Sequence, residues 1–403
     1  MTYKIKTFIS TTGERFSQLY KVDGDGFPLF YPTAYIARTA RLNTSHETQK
    51  IIRSVIKRVY EWEQVHNIDI EFRLHCQKFL NLTEIDSLAD YLRICKQGKS
   101  KSIIGIPKFN TYIIYAAQYI QWLTYQLIKD FSKQEIKESI KQQNNFLTSK
   151  KIRKAGSKSY QEQKTLHSKL DAIERHKLQE LFNSPFESLQ RSENTGQRFR
   201  NVLMLRILYE TGIRAGELLS LKLKNFQESI GGESAYIVVE RNHNDPTDLR
   251  LHQPVAKTSG RILPVSPELE KQLYTYITTW RADVPYVGFS REDFIFITHR
   301  GGQSQGKALT KKSFESAINN IKKKHPALMS IHPHLLRHDW NYRFSQIVDE
   351  QALSEEQERA LRENLMGWAP GSSMSTIYNR RHIYEKAREI GLMVASMTKR
   401  RIE

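Results

Sequence analysis

Apolar and polar residues alternate loosely at the start of the chain, where Tyr3 and Ile5 are followed by Phe16, Leu19, Tyr20 and Val22. A period of two marks a strand with one covered face. Asp23, Gly24, Asp25 and Gly26 read as a turn. The pattern predicts a small strand or hairpin region that closes at residues 27–32. The spacing then changes to three and four. Ile52, Val55, Ile56 and Val59 recur at helical intervals, Trp62 follows, and Thr44 to Glu47 reads as a capping box ahead of them. Further helices are predicted over residues 82–94 and 110–129, and a more polar one over 132–145. Tyr112, Tyr115, Tyr119, Trp122 and Tyr125 form a stripe in the third helix, read as core packing rather than a stacking platform.

Residues 148–167 are basic and poor in large apolar side chains, as a linker is. Helical signals resume near 170–182. Residues 199–209 are apolar nearly all round, which predicts a helix buried on every side. Ala235 to Glu240 alternates as a strand does, Val255 and residues 261–265 suggest two more strands, and 293–297 suggests another. Helices run from there to the end. The fold class is mainly α with a small antiparallel β-sheet. There is no internal repeat and no glycine-rich phosphate loop.

Composition narrows the partner. The 403 residues contain 62 Lys+Arg against 43 Asp+Glu, a net charge of +19, which favours a polyanion. No apolar run approaches the ~20 residues that span a bilayer, so no membrane is expected. The first residues lack a secretory pattern. Cys76 and Cys95 have no metal-ligand company, and a reducing bacterial cytoplasm is the expected setting.

The chemistry is concentrated in the second half. In the stretch 208–222, LYETGIRAGELLSLK, Arg214 sits where one helix ends and another begins, with Glu217 three residues on to orient it. His334, Arg337 and His338 share one helical face. His332, His334 and His338 could suggest zinc, but no fourth ligand has sensible spacing and Arg337 would repel a dication, so no metal is expected. Lys257 precedes residues 261–264 in an expected β-hairpin. Trp368 follows Gly367, and Tyr378 lies 378 − 368 = 10 positions on, Pro370 and Gly371 absorbing one extra residue; Tyr384 is the competing tyrosine. Two arginines, a lysine, a histidine and a tyrosine suffice for attack on a phosphodiester without a metal or other cofactor.

In order and context these residues resemble the tyrosine recombinase (phage integrase) family, closely over about 170–390 and loosely before. The resemblance implies a helical core-binding domain at 32–147 after an N-terminal arm at 1–31, a basic linker at 148–168 and a catalytic domain at 169–403, together forming a clamp around double-stranded DNA. It makes Tyr378 the nucleophile, and assigns Arg214, His334, Arg337 and Trp368 to the phosphate. Lys257 becomes the acid for the 5′-oxygen, and Glu217 and His338 become supports. In the linker, Lys150, Lys151, Arg153 and Lys154 are expected to follow the DNA backbone. The family's Ser or Thr after the His-x-x-Arg-His motif is replaced here by Asp339 and Trp340. The implied function is site-specific recombination through a 3′-phosphotyrosyl intermediate, in integration or transposition of a mobile element. The implied assembly is a homotetramer on DNA, coupled through a C-terminal docking helix at about 384–398, with other recombinases of the element as further candidate partners. A type IB topoisomerase or resolvase-like enzyme would share the chemistry. An inactive DNA-binding regulator would share the charge.

Overall fold

The alternation at the start of the chain becomes a hairpin, β1 (Tyr3–Ile9) against β2 (Arg15–Lys21), in antiparallel register from Tyr3 opposite Lys21 to Ile9 opposite Arg15. The computed structural model describes residues 2–95, 102–129, 133–153, 169–185, 195–256 and 258–396, with residue 95 and residues 376–381 by backbone alone. It divides into two units, Met1–Gly156 and Ser157–Glu403.

In the first unit the hairpin is followed by α1 (Phe30–Tyr35), α2 (His46–His66), α3 (Ile70–His75), α4 (Leu82–Arg93), the short pair β3 (Ile94–Cys95) and β4 (Ser102–Ile103), α5 (Ile106–Leu127) and α6 (Gln134–Ser149). Ser45 caps α2 by accepting from the Thr48 backbone N–H, one residue later than the Thr44 cap expected. Asn67 ends the helix in the left-handed conformation. Val55, Ile56, Val59 and Trp62 of α2 form the core with Ile85, Leu88 and Leu92 of α4 and Ile113 and Ile120 of α5. Tyr112 and Tyr119 of the aromatic stripe are buried, whereas Tyr125 is exposed.

The second unit contains α7 (Ala172–Asn183), α8 (Thr195–Thr211), α9 (Ala215–Leu219), β5 (Phe226–Gln227), β6 (Tyr236–Val239), β7 (Arg261–Pro264), α10 (Pro267–Thr275), α11 (Lys311–Lys324), α12 (Pro333–Glu350), α13 (Glu355–Met366) and α14 (Met374–Ser396). The sheet is antiparallel in the order β5-β6-β7. Two strand expectations need correction. Val255 joins no strand, and Phe294 makes only an isolated bridge to Lys222; the third strand is Phe226–Gln227. Arg250 anchors the long connection between β6 and β7. It grips buried Asp248 with Nε and Nη2 at 2.9 and 2.7 Å and donates Nη1 to the Leu219 and Leu309 carbonyls. Leu203, Met204, Ile207 and Leu208 of α8 are covered, with the sheet's Ile237 and Leu263 and α12's Leu336 in the same core.

Candidate active site

The site is built at the end of α8. Gly212 terminates that helix at φ +64°, a conformation natural to glycine, and the chain re-enters a helix at once with Arg214 as its N-cap. Glu217 caps the helix start from its third position. Its Oε2 accepts from the Arg214 backbone N–H at 3.0 Å, and its Oε1 from Arg214 Nη1 at 3.1 Å. Two partners come from far along the chain. Arg261 Nη2 donates to Oε2 at 2.7 Å and the Thr258 hydroxyl to Oε1 at 3.0 Å. Burial alone would raise this carboxyl. The bonds and charges of Arg261 and then Arg214 prevail and hold it at about 2. Glu217 is therefore an anion that fixes two guanidinium groups, one of them 30% exposed at its side chain and the other 2%.

Arg261 links this cluster to the end of α13. Its Nε donates to the Leu365 carbonyl at 2.7 Å, and the Ser259 N–H donates to the Gly367 carbonyl at 3.2 Å. Gly367 has φ +66°, and a Cβ there would meet the Ser259 carbonyl at 2.8 Å. The backbone before Trp368 is thus fastened to the segment that leads into β7. Trp368 is buried with Met366, and Trp340 and Met374 pack against them.

Arg337, on α12, is 1% exposed. Its Nη1 donates to the Gly212 carbonyl at 2.7 Å, its Nη2 to the Met366 carbonyl at 3.4 Å, and its guanidinium lies 5.5 Å from the centre of the Trp368 ring. His334 and His338 lie one turn apart on the same helix, with their Nε2 atoms 3.1 Å apart. His334 is held below the ordinary histidine range, first by partial burial and then by the charges of His332, Arg337 and Arg214. His332 does not join them; its Nδ1 caps α12 by accepting from the Leu335 N–H at 3.1 Å. Among the described residues no cluster of ligating side chains could hold a metal ion.

Arg214, Glu217, His334, Arg337, His338 and Trp368 thus meet around the end of α8 and the start of α12. Lys257 lies outside the described residues, between buried Ala256 and Thr258. Tyr378 is described by backbone only, in the second turn of α14. Tyr384 is exposed. Two further lysines follow the Arg214 helix, and both are tied up: Lys222 by Asp245 at 2.8 Å and Glu292 at 2.9 Å, Lys224 by Glu292 at 2.9 Å. Of the basic run, Lys150 pairs with Asp86, Lys151 and Arg153 are exposed, and Lys154 lies outside the described residues.

The phage integrase family model matches residues 183–382, the stretch that contains the whole cluster. The chain belongs to the phage integrase family. Relatives include the tyrosine recombinase XerD of Listeria monocytogenes, 30% identical over 146 residues, which cover 35% of this chain and 39% of that protein. The tyrosine recombinase XerC of Roseiflexus is 25% identical over 174 residues, 42% of this chain and 45% of that protein. The chain therefore spans about two-fifths of the length of the curated relatives it matches. Among solved structures, the Tn1549 transposon integrase (residues 82–397) in complex with circular intermediate DNA aligns at 16% identity over 89% of this chain and 98% of that one, with a TM-score of 0.41.

Sequence reasoning missed several members of this integrase site. Arg261 was read only as part of a strand, and Thr258 not at all. Asp339 and Trp340 stood out as departures from the family pattern without a role. Asp339 is fully buried and accepts from Arg175 Nη2 at 2.8 Å and Arg343 Nε at 3.1 Å. An unusual acid next to the histidine-arginine motif was the available signal, and the basic partners of that acid were the thing to look for.

Proposed function

We propose that this integrase-family chain is a site-specific DNA recombinase that cleaves and rejoins strands through a 3′-phosphotyrosyl intermediate, serving integration or transposition of a mobile element. The observation that carries the reading is that Arg337 holds the Gly212 carbonyl at 2.7 Å, two residues before Arg214, with His334 three residues before Arg337 on the same helix. A partly exposed guanidinium, a buried one and an imidazole concentrate positive charge and donors where a phosphodiester's non-bridging oxygens would lie.

In this reading the Tyr378 oxygen attacks phosphorus, a tyrosyl P–O bond forms, and the bond to the 5′-oxygen breaks. Lys257 protonates that leaving oxygen. The 5′-hydroxyl of another strand then reverses the step, with no net hydrolysis. Register supports Tyr378: α14 packs on α12 with His382 against Tyr342, their ring centres 6.4 Å apart, and with Lys386 bound to Asp349 at 2.7 Å. Tyr378 lies one helical turn before His382 on this helix. Lys150, Lys151, Arg153 and Lys154 add backbone contacts to double-stranded DNA, in a linker between the core-binding and catalytic domains.

The assembly proposed is a homotetramer on DNA, coupled by the end of α14. Ile390, Met393 and Val394 recur there at helical spacing and are more than half exposed, as a helix that docks into a like subunit requires. A nicked suicide substrate tests the chemistry. Wild type forms a covalent adduct that survives EDTA, and Tyr378→Phe binds the same DNA without one. An adduct formed by the Phe variant overturns the assignment and makes Tyr384 the candidate. Deleting residues 386–403 leaves DNA binding intact and abolishes the two-site complex; a truncated protein that still assembles refutes the docking helix.

A further inference from the structure

Three donors along one stripe of α12 hold the end of α8. Arg337 Nη1 reaches the Gly212 carbonyl at 2.7 Å, Trp340 Nε1 the Glu210 carbonyl at 2.9 Å, and Arg343 Nη2 the Tyr209 carbonyl at 2.5 Å. Residues three apart share a helical face. The last carbonyls of a helix have no acceptor role inside it, and its C-terminal end carries partial negative charge that favours cations. Two of the three donors are arginines, in keeping with that field.

Trp340 also acts by shape. A Cβ at Gly212 would come within 2.9 Å of Trp340 Cγ, so the indole lies flush on the turn. Phe344 stacks on the indole's far side at 5.4 Å. Arg343 lies over the Tyr209 ring at 4.0 Å and is steered by buried Asp339, which also binds Arg175 of α7. The α12 stripe therefore fixes the turn, and Arg214 is the first partly exposed side chain after it.

We propose that Trp340 and Arg343 are positioning residues for Arg214: by holding the Glu210 and Tyr209 carbonyls at the end of α8 they set the angle at which the Arg214 guanidinium meets the scissile phosphate. The proposal rests on the recombinase reading above. Asp339 serves the same end at one remove, as the anchor of Arg343, which gives a role to the acid that stands where the family has Ser or Thr.

The test is a double-mutant cycle read by single-turnover adduct formation on a suicide substrate. Trp340→Phe keeps a ring against Gly212 and loses the N–H. It should slow adduct formation about 10-fold or more, with DNA affinity within about 2-fold and the melting temperature near wild type. In an Arg214→Ala background the same change should cost less than about 2-fold, because the residue acts through Arg214. Equal slowing in both backgrounds, a loss that follows the unfolded fraction, or no slowing at all overturns the proposal. Should Trp340→Phe fold poorly, Arg343→Lys enters the same cycle with the same expectation. Wild-type protein that forms no adduct overturns the recombinase reading itself, an outcome distinct from additivity in the cycle.

Discussion

Two buried glutamates, one in each unit, occupy opposite protonation states. Glu63 of α2 accepts one backbone N–H, from Ile70 at 2.8 Å, and has Glu71 and Asp69 as its charged neighbours. Burial, then the repulsion of those carboxylates, pushes it up to about 8. Glu217 is buried at least as fully and sits at about 2, because Arg261 and Arg214 are within bonding distance. Burial alone raises a carboxyl, and only the paired cations reverse the sign at Glu217. The first unit holds a buried acid bonded to a backbone N–H, a packing element. The second holds a fixed anion whose purpose is to orient cations.

Breaking the contrast at Glu217 has the largest expected effect. Glu217→Ala leaves the Arg261 guanidinium buried without its anion and should cost about 3–5 kcal/mol, read as a fall in denaturation midpoint, with adduct formation lost. A variant as stable as wild type would show that Arg261 finds another acceptor.

Glu63→Gln sharpens the other half. A group raised from 4.5 to about 8 in the folded state contributes stability that is complete below about 4.5 and lost as pH rises through about 8. Glutamine does not titrate, so the variant should gain on wild type by up to about 1.4 kcal/mol per pH unit across that window. Parallel stability curves from pH 5 to 8 would place Glu63 among ordinary ionised carboxylates.

His334 gives a smaller, kinetic signature. Because it is held below 6.5 by burial and nearby cations, the acid limb of adduct formation should fall below pH 6.5 and vanish in His334→Ala. A limb that survives the substitution belongs to another group. The smallest effect is at Lys150, whose partner Asp86 is more than half exposed. Lys150→Ala should change stability by less than about 1 kcal/mol yet reduce the salt slope of DNA binding by about one unit if it meets a phosphate.

Much of this was legible in the chain because it is local. The Arg214–Glu217 pair follows from a spacing of three, the His334–His338 contact from a spacing of four, and α4, α5 and α7 from their helical patterns. What escaped was long-range. Arg261 reaches Glu217 across 44 positions and Leu365 across 104, and no window of sequence contains both ends. Trp340 and Arg343 look like ordinary helical residues until α8 is laid against α12. The strand expected at 293–297 failed for a related reason. Its apolar residues, Phe294 to Ile297, are buried and pair through two isolated bridges, Phe294 with Lys222 and Ile297 with Ala308, rather than through a continuous ladder.

The arginine that holds Gly212 lies 125 positions after it, and that separation bears on how the protein comes into being. During synthesis Arg214 and Glu217 leave the ribosome well before Arg261, and Arg261 well before its acceptor at Leu365. A nascent chain halted in between carries a helix end without its donors and a carboxylate without its second guanidinium. Contacts of such sequence separation form late and together. The Glu217–Arg261 and Gly212–Arg337 contacts are therefore among the last that the chain can form.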